Sequence, residues 1–316
     1  MSDRPVSVGF LGVGAIGRPI AERMLDQAPA LMICDLNAQA RSYFDGKATT
    51  VASARALADQ VQIIFACLPT LDSYRAAILS PDGILAGGRI RIFVHIGTTG
   101  PELARDMAAA CAQRGVAMID APVTGGPHRA RTGDLGVMAS GPRAPYDEVE
   151  PLIQSYARSI TYLGGDAGQA QIMKLINNVL SAANLAVASE VLVLGMKAGL
   201  DPEQMLQVVN AGTGQNSATL TKIPDHVLPR TFDYGGRLEV VHKDLAAMVR
   251  QADHFGLSAP FSRLISATYQ TAIDEDGPDA DMTAVICHME RPAGVEVSTG
   301  QHDGAPATEG LIRKMN

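Results

Sequence analysis

The run Val6-Ser7-Val8-Gly9-Phe10-Leu11-Gly12-Val13-Gly14-Ala15-Ile16-Gly17 decides how the rest of the chain reads. It opens as a short apolar, β-leaning stretch, after which Ile16, Ile20, Met24 and Leu25 recur at helical spacing. Strand, Gly-x-Gly-x-x-Gly, helix is the order in which a dinucleotide pyrophosphate is held. Gly12 permits the tight turn, Gly14 lets the phosphates approach the backbone, and Gly17 lets helix pack on strand. Ala15 and Ile16, at the helix start, complete the candidate set. The helix N-terminus adds free N–H groups and partial positive charge. Alone, the pattern is equally a plain glycine-rich turn.

Working outward, Leu31-Met32-Ile33-Cys34 reads as a second strand ending in Asp35, about twenty residues downstream as the fingerprint requires. A carboxylate there bonds the adenosine ribose hydroxyls and repels a 2′-phosphate, which favours NAD over NADP. Arg41, close in sequence, is the counterweight. Val61–Leu68 is a buried strand stopped by Pro69, and Arg91–Ile96 is another, ending in Gly97-Thr98-Thr99-Gly100-Pro101. Pro101–Arg114 is helical and Val116–Asp120 a further strand. Strands alternating with helices mean a parallel sheet, whose ligands sit beyond the carboxyl ends of its strands. Gly12, Asp35, Leu68-Pro69, Gly97-Thr98 and Ala121-Pro122 therefore converge on one edge. Next comes Thr124-Gly125-Gly126, which either presents a hydroxyl and several N–H groups to a carboxylate or is a polar loop. It leads into a hairpin strand at Leu135–Ala139, a helix at Tyr146–Tyr156 and an edge strand at Ser159–Leu163.

From Gly168 the pattern becomes helical. A long apolar helix, expected to be buried on most sides, carries Lys174 and Asn178 one turn apart on one face. Asp201-Pro202 opens another helix, residues 211–217 form a polar break, and Glu239–Phe255 and Pro260–Glu290 are helical, the last with a break at Asp276-Gly277-Pro278. The expected fold is an α/β N-terminal Rossmann-type doubly wound sheet followed by an all-α C-terminal domain. Its parts are a dinucleotide-binding domain over 1–165, a helical substrate and oligomerisation domain over 166–292, and a polar tail over 293–316.

Composition narrows the function. A net charge of −7 with no Lys/Arg-rich run excludes general nucleic-acid affinity. Cys34, Cys67, Cys111 and Cys287 show no metal or redox spacing, and the seven histidines form no ligand pair, so no metal is expected. The start of the chain has no signal-peptide pattern, and Val179–Leu194 is interrupted by Asn184 and Glu190 and too short to span a bilayer. A cytoplasmic protein with no membrane partner is the expectation.

Lys174 on an apolar helix either snorkels to solvent or is used. Used, it takes the hydroxyl proton as hydride leaves the carbinol carbon, given a pKa lowered by burial and neighbouring positive charge. Asn178 would orient the substrate oxygen.

The chain resembles the β-hydroxyacid dehydrogenase family, of which 3-hydroxyisobutyrate dehydrogenase is the familiar member. Four stretches carry the likeness in order: Gly9–Gly17, Asp120–Gly126, Gly165–Asn178 and Lys243-Asp244-Leu245. The resemblance implies that Thr124, Gly125 and Gly126 hold a substrate carboxylate, that Lys174 transfers the proton and that Asn178 binds substrate. It also implies that Thr98 lies by the nicotinamide, that Lys243 reaches the cofactor side, and that the long helices pair into a homodimer or homotetramer. His95 and Gly97 stand where the family usually has Asp and Ser, and Pro127, His128, Arg129 and Arg131 replace its small residues. Asn177, where 6-phosphogluconate dehydrogenases place a histidine, argues against that activity, and Lys174 argues against imine reduction. The resulting expectation is NAD-dependent oxidation of a short 3-hydroxy acid to its semialdehyde, or the reverse. Its rivals are an NADPH-dependent glyoxylate or succinic semialdehyde reductase and a non-catalytic dinucleotide-binding sensor or scaffold.

Overall fold

The structure, a computed structural model, describes residues 6–28 and 30–299. Leu311, Ile312 and the rest of the tail beyond Thr299 lie outside the described residues. The chain divides after Lys174 into two compact units, and the division falls inside one long helix.

The first unit begins with β1 (Val8–Leu11), α1 (Gly17–Met24), β2 (Met32–Cys34), α2 (Ala38–Ser42) and β3 (Thr49–Val51). It continues through α3 (Ala54–Ala58), β4 (Ile63–Ala66), α4 (Leu71–Leu79), β5 (Ile92–His95), α5 (Pro101–Gln113) and β6 (Ala117–Asp120). These strands form one six-stranded sheet in the order β3-β2-β1-β4-β5-β6, with every pairing parallel. Sequence reading missed β3, because Thr49-Thr50-Val51 is too short and too polar to give a period. Along each central strand alternate residues serve opposite faces: Phe10, Phe65 and Val94 join one core, Leu11, Ile64 and Phe93 the other. Burial on both faces is why these strands read as continuous apolar runs.

Since all six strands run the same way, their carboxyl ends share one edge. The ladder extends into the following loops, with Gly12 N donating to Cys34 O at 2.8 Å and Ala121 N to His95 O at 2.7 Å. The order reverses beside β1, the switch point at which such sheets bind ligands.

The unit continues with β7 (Val123–Thr124), α6 (Gly126–Thr132), β8 (Leu135–Ala139), α7 (Arg143–Gln154) and β9 (Ala157–Tyr162). They contribute a separate three-stranded sheet in which β8 pairs antiparallel with β7 and parallel with β9.

The second unit is helical among its described residues. It holds most of α8 (Gln169–Lys197), then α9 (Pro202–Ala211), a π-helical segment (Ala218–Val227), α10 (Leu238–His254), α11 (Pro260–Asp276) and α12 (Val285–Ala293). Asp201 caps α9 by accepting from Gln204 N, with Pro202 in the first turn. Ala182, Leu185, Leu192, Leu245, Tyr269 and Ile286 meet in its core. Two expectations are corrected. α8 is not buried on most sides in the single chain: Leu180, Val187, Val191 and Leu194 are 49–68% exposed. At 29 residues with a window of mean hydropathy 1.8 it is also long and apolar enough to cross a membrane, a test that the core helix of a soluble protein passes equally.

Candidate active site

Three glycines shape the turn after β1 in three ways. Gly12 has φ +90, and a Cβ on it would fall 2.4 Å from the Cys67 carbonyl oxygen. A Cβ on Gly17 would sit 2.0 Å from the Gly12 oxygen, whereas one on Gly14 would meet nothing within 4 Å. The open side of the turn is therefore at Gly14. Ile16 at the start of α1 gives no side-chain cap, so the first-turn N–H groups are left for another acceptor. These residues fit a dinucleotide pyrophosphate. Asp35 closes the turn from β2, its Oδ2 accepting from Val13 N and its Oδ1 from Asn37 N, each at 2.8 Å. Arg41 donates to the Asp35 backbone oxygen, which ties this cation to the loop after β2.

At the β4 end, Leu68 N donates to the Tyr74 hydroxyl at 2.9 Å, and that hydroxyl donates to Ala66 O at 3.1 Å. The same hydroxyl lies where a Cβ on residue 97 would go, only 2.3 Å away, so Gly97 is required by Tyr74. Tyr74 thus sets both loops, Leu68-Pro69 and Gly97-Thr98.

Beneath them lies a buried polar network that sequence reading missed. His95 Nδ1 is 2.9 Å from Asp120 Oδ1, and both side chains are fully buried. Gln171, in the first turn of α8, donates from Nε2 to Asp120 Oδ1 at 2.7 Å and to Gly97 O at 3.0 Å. Its Oε1 accepts from Thr99 N at 2.8 Å and Gly100 N at 3.1 Å. Ser140 Oγ accepts from Ala170 N at 3.1 Å. The start of α8 is therefore fixed to the ends of β5 and β6, and Lys174 follows one turn later. The sequence signal was a glutamine three residues before that lysine on an apolar helix.

Lys174 is 8% exposed, so it does not snorkel to solvent. Thr124 ends β7, Gly126 begins α6, and Gly125 between them has φ +127, a backbone that favours glycine. Arg129 is exposed with its guanidinium 3.8 Å from Asp134, and Arg131 is exposed on the same helix. In the second unit, Asn178 Nδ2 donates to Asp244 Oδ2 at 2.6 Å, and Lys243 Nζ is 3.1 Å from Asp244 Oδ1. Asp244 is buried and joins two of the expected site residues. Among the described residues no group of three potential metal ligands occurs.

A parallel sheet with an open glycine turn at its switch point, and a buried lysine on the helix tied to its strand ends, define an NAD(P)-dependent oxidoreductase acting on CH–OH groups. Residues 7–164 match the family model described as the NAD binding domain of 6-phosphogluconate dehydrogenase. Residues 168–289 match the one described as NAD-binding of NADP-dependent 3-hydroxyisobutyrate dehydrogenase. The chain belongs to the β-hydroxyacid dehydrogenase family. It is 30% identical to 3-hydroxyisobutyrate dehydrogenase of Pseudomonas aeruginosa, over 81% of this chain and 89% of that protein. It is 28% identical to 2-(hydroxymethyl)glutarate dehydrogenase of Eubacterium barkeri, over 95% of this chain and 100% of the other. Among solved structures, 3-hydroxyisobutyrate dehydrogenase of Mycobacterium tuberculosis with L-serine superposes with a TM-score of 0.80 at 25% identity, covering 90% of this chain and 99% of that one.

Proposed function

We propose that the protein oxidises a short 3-hydroxy acid to its semialdehyde with NAD, or runs the reverse reduction. The observation that carries this reading is the burial of Lys174 one helical turn before Asn178 on α8. A buried ammonium is expensive, and its neutral form is the one that can take a proton. When bound, the nicotinamide accepts or returns hydride at C4. Lys174 Nζ takes the hydroxyl proton during oxidation and returns it to the oxygen during reduction. Asn178, oriented by Asp244, holds that oxygen, while Thr124 and the N–H groups of Gly125 and Gly126 take the carboxylate. Gly12, Gly14, Ala15, Ile16 and Gly17 cradle the pyrophosphate, and Leu68, Pro69, Thr98 and Lys243 are further cofactor contacts.

NAD is preferred over NADP on this reading because the Asp35 carboxylate stands at the end of β2. The ratio of kcat/KM with the two cofactors tests that choice, and an NADP preference would point instead to the glyoxylate or succinic semialdehyde reductase reading and to Arg41. The relatives support a hydroxy-acid substrate: their names include both a monocarboxylate and a dicarboxylate hydroxy acid. The protein is read as cytoplasmic and as a homodimer or homotetramer. The exposed apolar residues of α8 support the assembly, and light scattering of the purified chain measures it.

The central experiment is a hydroxy-acid panel with wild type and Lys174→Ala. The variant should lose about two to four orders of magnitude in kcat while NAD binding survives. Near-wild-type turnover would sink the assignment. NAD binding with no turnover of any acid by the wild type would favour the sensor or scaffold.

A further inference from the structure

Lys222, in the π-helical segment, is 2% exposed, and the mechanism above does not use it. Its Nζ donates to Ser181 Oγ at 2.8 Å and to Ser217 Oγ at 3.1 Å, and the Tyr234 ring centroid is 5.5 Å away. None of these groups is an anion. Burial alone moves its pKa, down from 10.5 to about 8, so the amine is still mostly charged near neutrality. A buried ammonium with no carboxylate beside it among the described residues is costly to the fold, and replacement by an apolar side chain would remove that cost.

Its surroundings give the charge a use. Ser181 follows Asn178 by three residues on α8, so it lies on the same helix face about 4.5 Å further along the axis. Ser217 is exposed at the end of the polar break that precedes the π-helical segment. π-windings are rare and concentrate at functional sites. This one brings Lys222 back onto Ser217, five residues earlier. Two of the three ammonium protons point to the serine oxygens, which leaves one N–H and two hydroxyls able to reorient towards a ligand.

We propose that Lys222, Ser181 and Ser217 form a subsite for a second anionic group of the substrate, the distal carboxylate of a hydroxy dicarboxylic acid. The proposal rests on the hydroxy-acid reading and narrows its substrate class. One cation with two hydroxyl donors matches the single charge and two oxygens of a carboxylate.

The test is steady-state kinetics on wild type, Lys222→Met and Ser217→Ala, with 2-(hydroxymethyl)glutarate and 3-hydroxyisobutyrate as substrates. Calorimetric binding of glutarate, which cannot react, runs alongside. The wild type should favour the dicarboxylate. Lys222→Met should lower the ratio of kcat/KM for dicarboxylate over monocarboxylate by about tenfold or more, through KM, as expected for loss of a charge-assisted hydrogen bond. Ser217→Ala, on an exposed loop, should move the ratio in the same direction and covers the case in which Lys222→Met fails to fold. Equal losses for the two acids would make Lys222 a structural tie between loop and helix and overturn the subsite. If the wild type turns over neither acid, the hydroxy-acid reading fails by itself. Glutarate binding then decides the subsite: binding weakened by Lys222→Met upholds it, and absence of binding to the wild type overturns it.

Discussion

The buried carboxylate of Asp244 takes a 2.6 Å hydrogen bond from the side-chain amide of Asn178 and, on its other oxygen, holds Lys243 Nζ at 3.1 Å. One carboxylate thus orients a residue of α8 and a residue of α10. Asp244→Ala should lower kcat/KM about 10- to 100-fold, the worth of a hydrogen bond to a charged group. Because both residues act through one contact, adding Asn178→Ala should bring little further loss, and a double-mutant cycle in kcat/KM measures the shortfall. Additive losses would separate their roles.

Gln171 should behave as a positioning residue. Gln171→Ala removes the bonds to Gly97, Thr99, Gly100 and Asp120 and leaves buried groups unsatisfied, which lowers stability by about 1–3 kcal/mol in a urea titration. It also frees the loop carrying Thr98, so the Kd for NAD should rise. A fall in stability with an unchanged Kd would confine Gln171 to folding.

Tyr74 and Gly97 should be coupled. Gly97→Ser forces a Cβ to within 2.3 Å of the Tyr74 hydroxyl, an overpacking expected to destabilise by about 1–3 kcal/mol. In a Tyr74→Leu background the same serine should be tolerated far better. Thermal melts of the four proteins in the cycle give the coupling, and a zero value would remove Tyr74 as the reason for glycine at 97.

Lys222 predicts a pH signature of stability. Its folded pKa, about 8, lies below the unfolded value of 10.5, so between these values the unfolded chain binds more protons and stability rises with pH. Below about 8 the burial cost of the charge is present in full. Lys222→Met should therefore have a higher Tm than wild type at pH 7, by a margin that narrows as pH rises through that window. A margin that is constant with pH would show that burial does not lower the Lys222 pKa.

Much of the first unit was legible because parallel strands buried on both faces give unbroken apolar runs such as Ile63–Ala66 and Ile92–His95, and because the Gly12–Gly17 spacing stands between a strand pattern and a helical one. The strand β3 was not, since Thr49 and Thr50 carry no such signal. The exposed side of α8 was misread for a physical reason: Leu180 and Val187 look like core residues to any periodicity argument, and only packing reveals that the single chain leaves them uncovered. The network of His95, Asp120 and Gln171 joins positions far apart in sequence, and the serines that hold Lys222 stand five and forty-one residues before it. Long-range polar partners leave no local pattern.

Asp35 offers a last consequence. Its two carboxylate oxygens hold Val13 N and Asn37 N, so the residue read as the cofactor selector is also the clasp of the glycine turn. Converting such a chain to the phosphorylated cofactor by replacing this one acid would release the turn along with the repulsion. Redesign, natural or deliberate, would have to install a substitute clasp first, which makes cofactor choice here an inherited commitment that a single substitution does not undo.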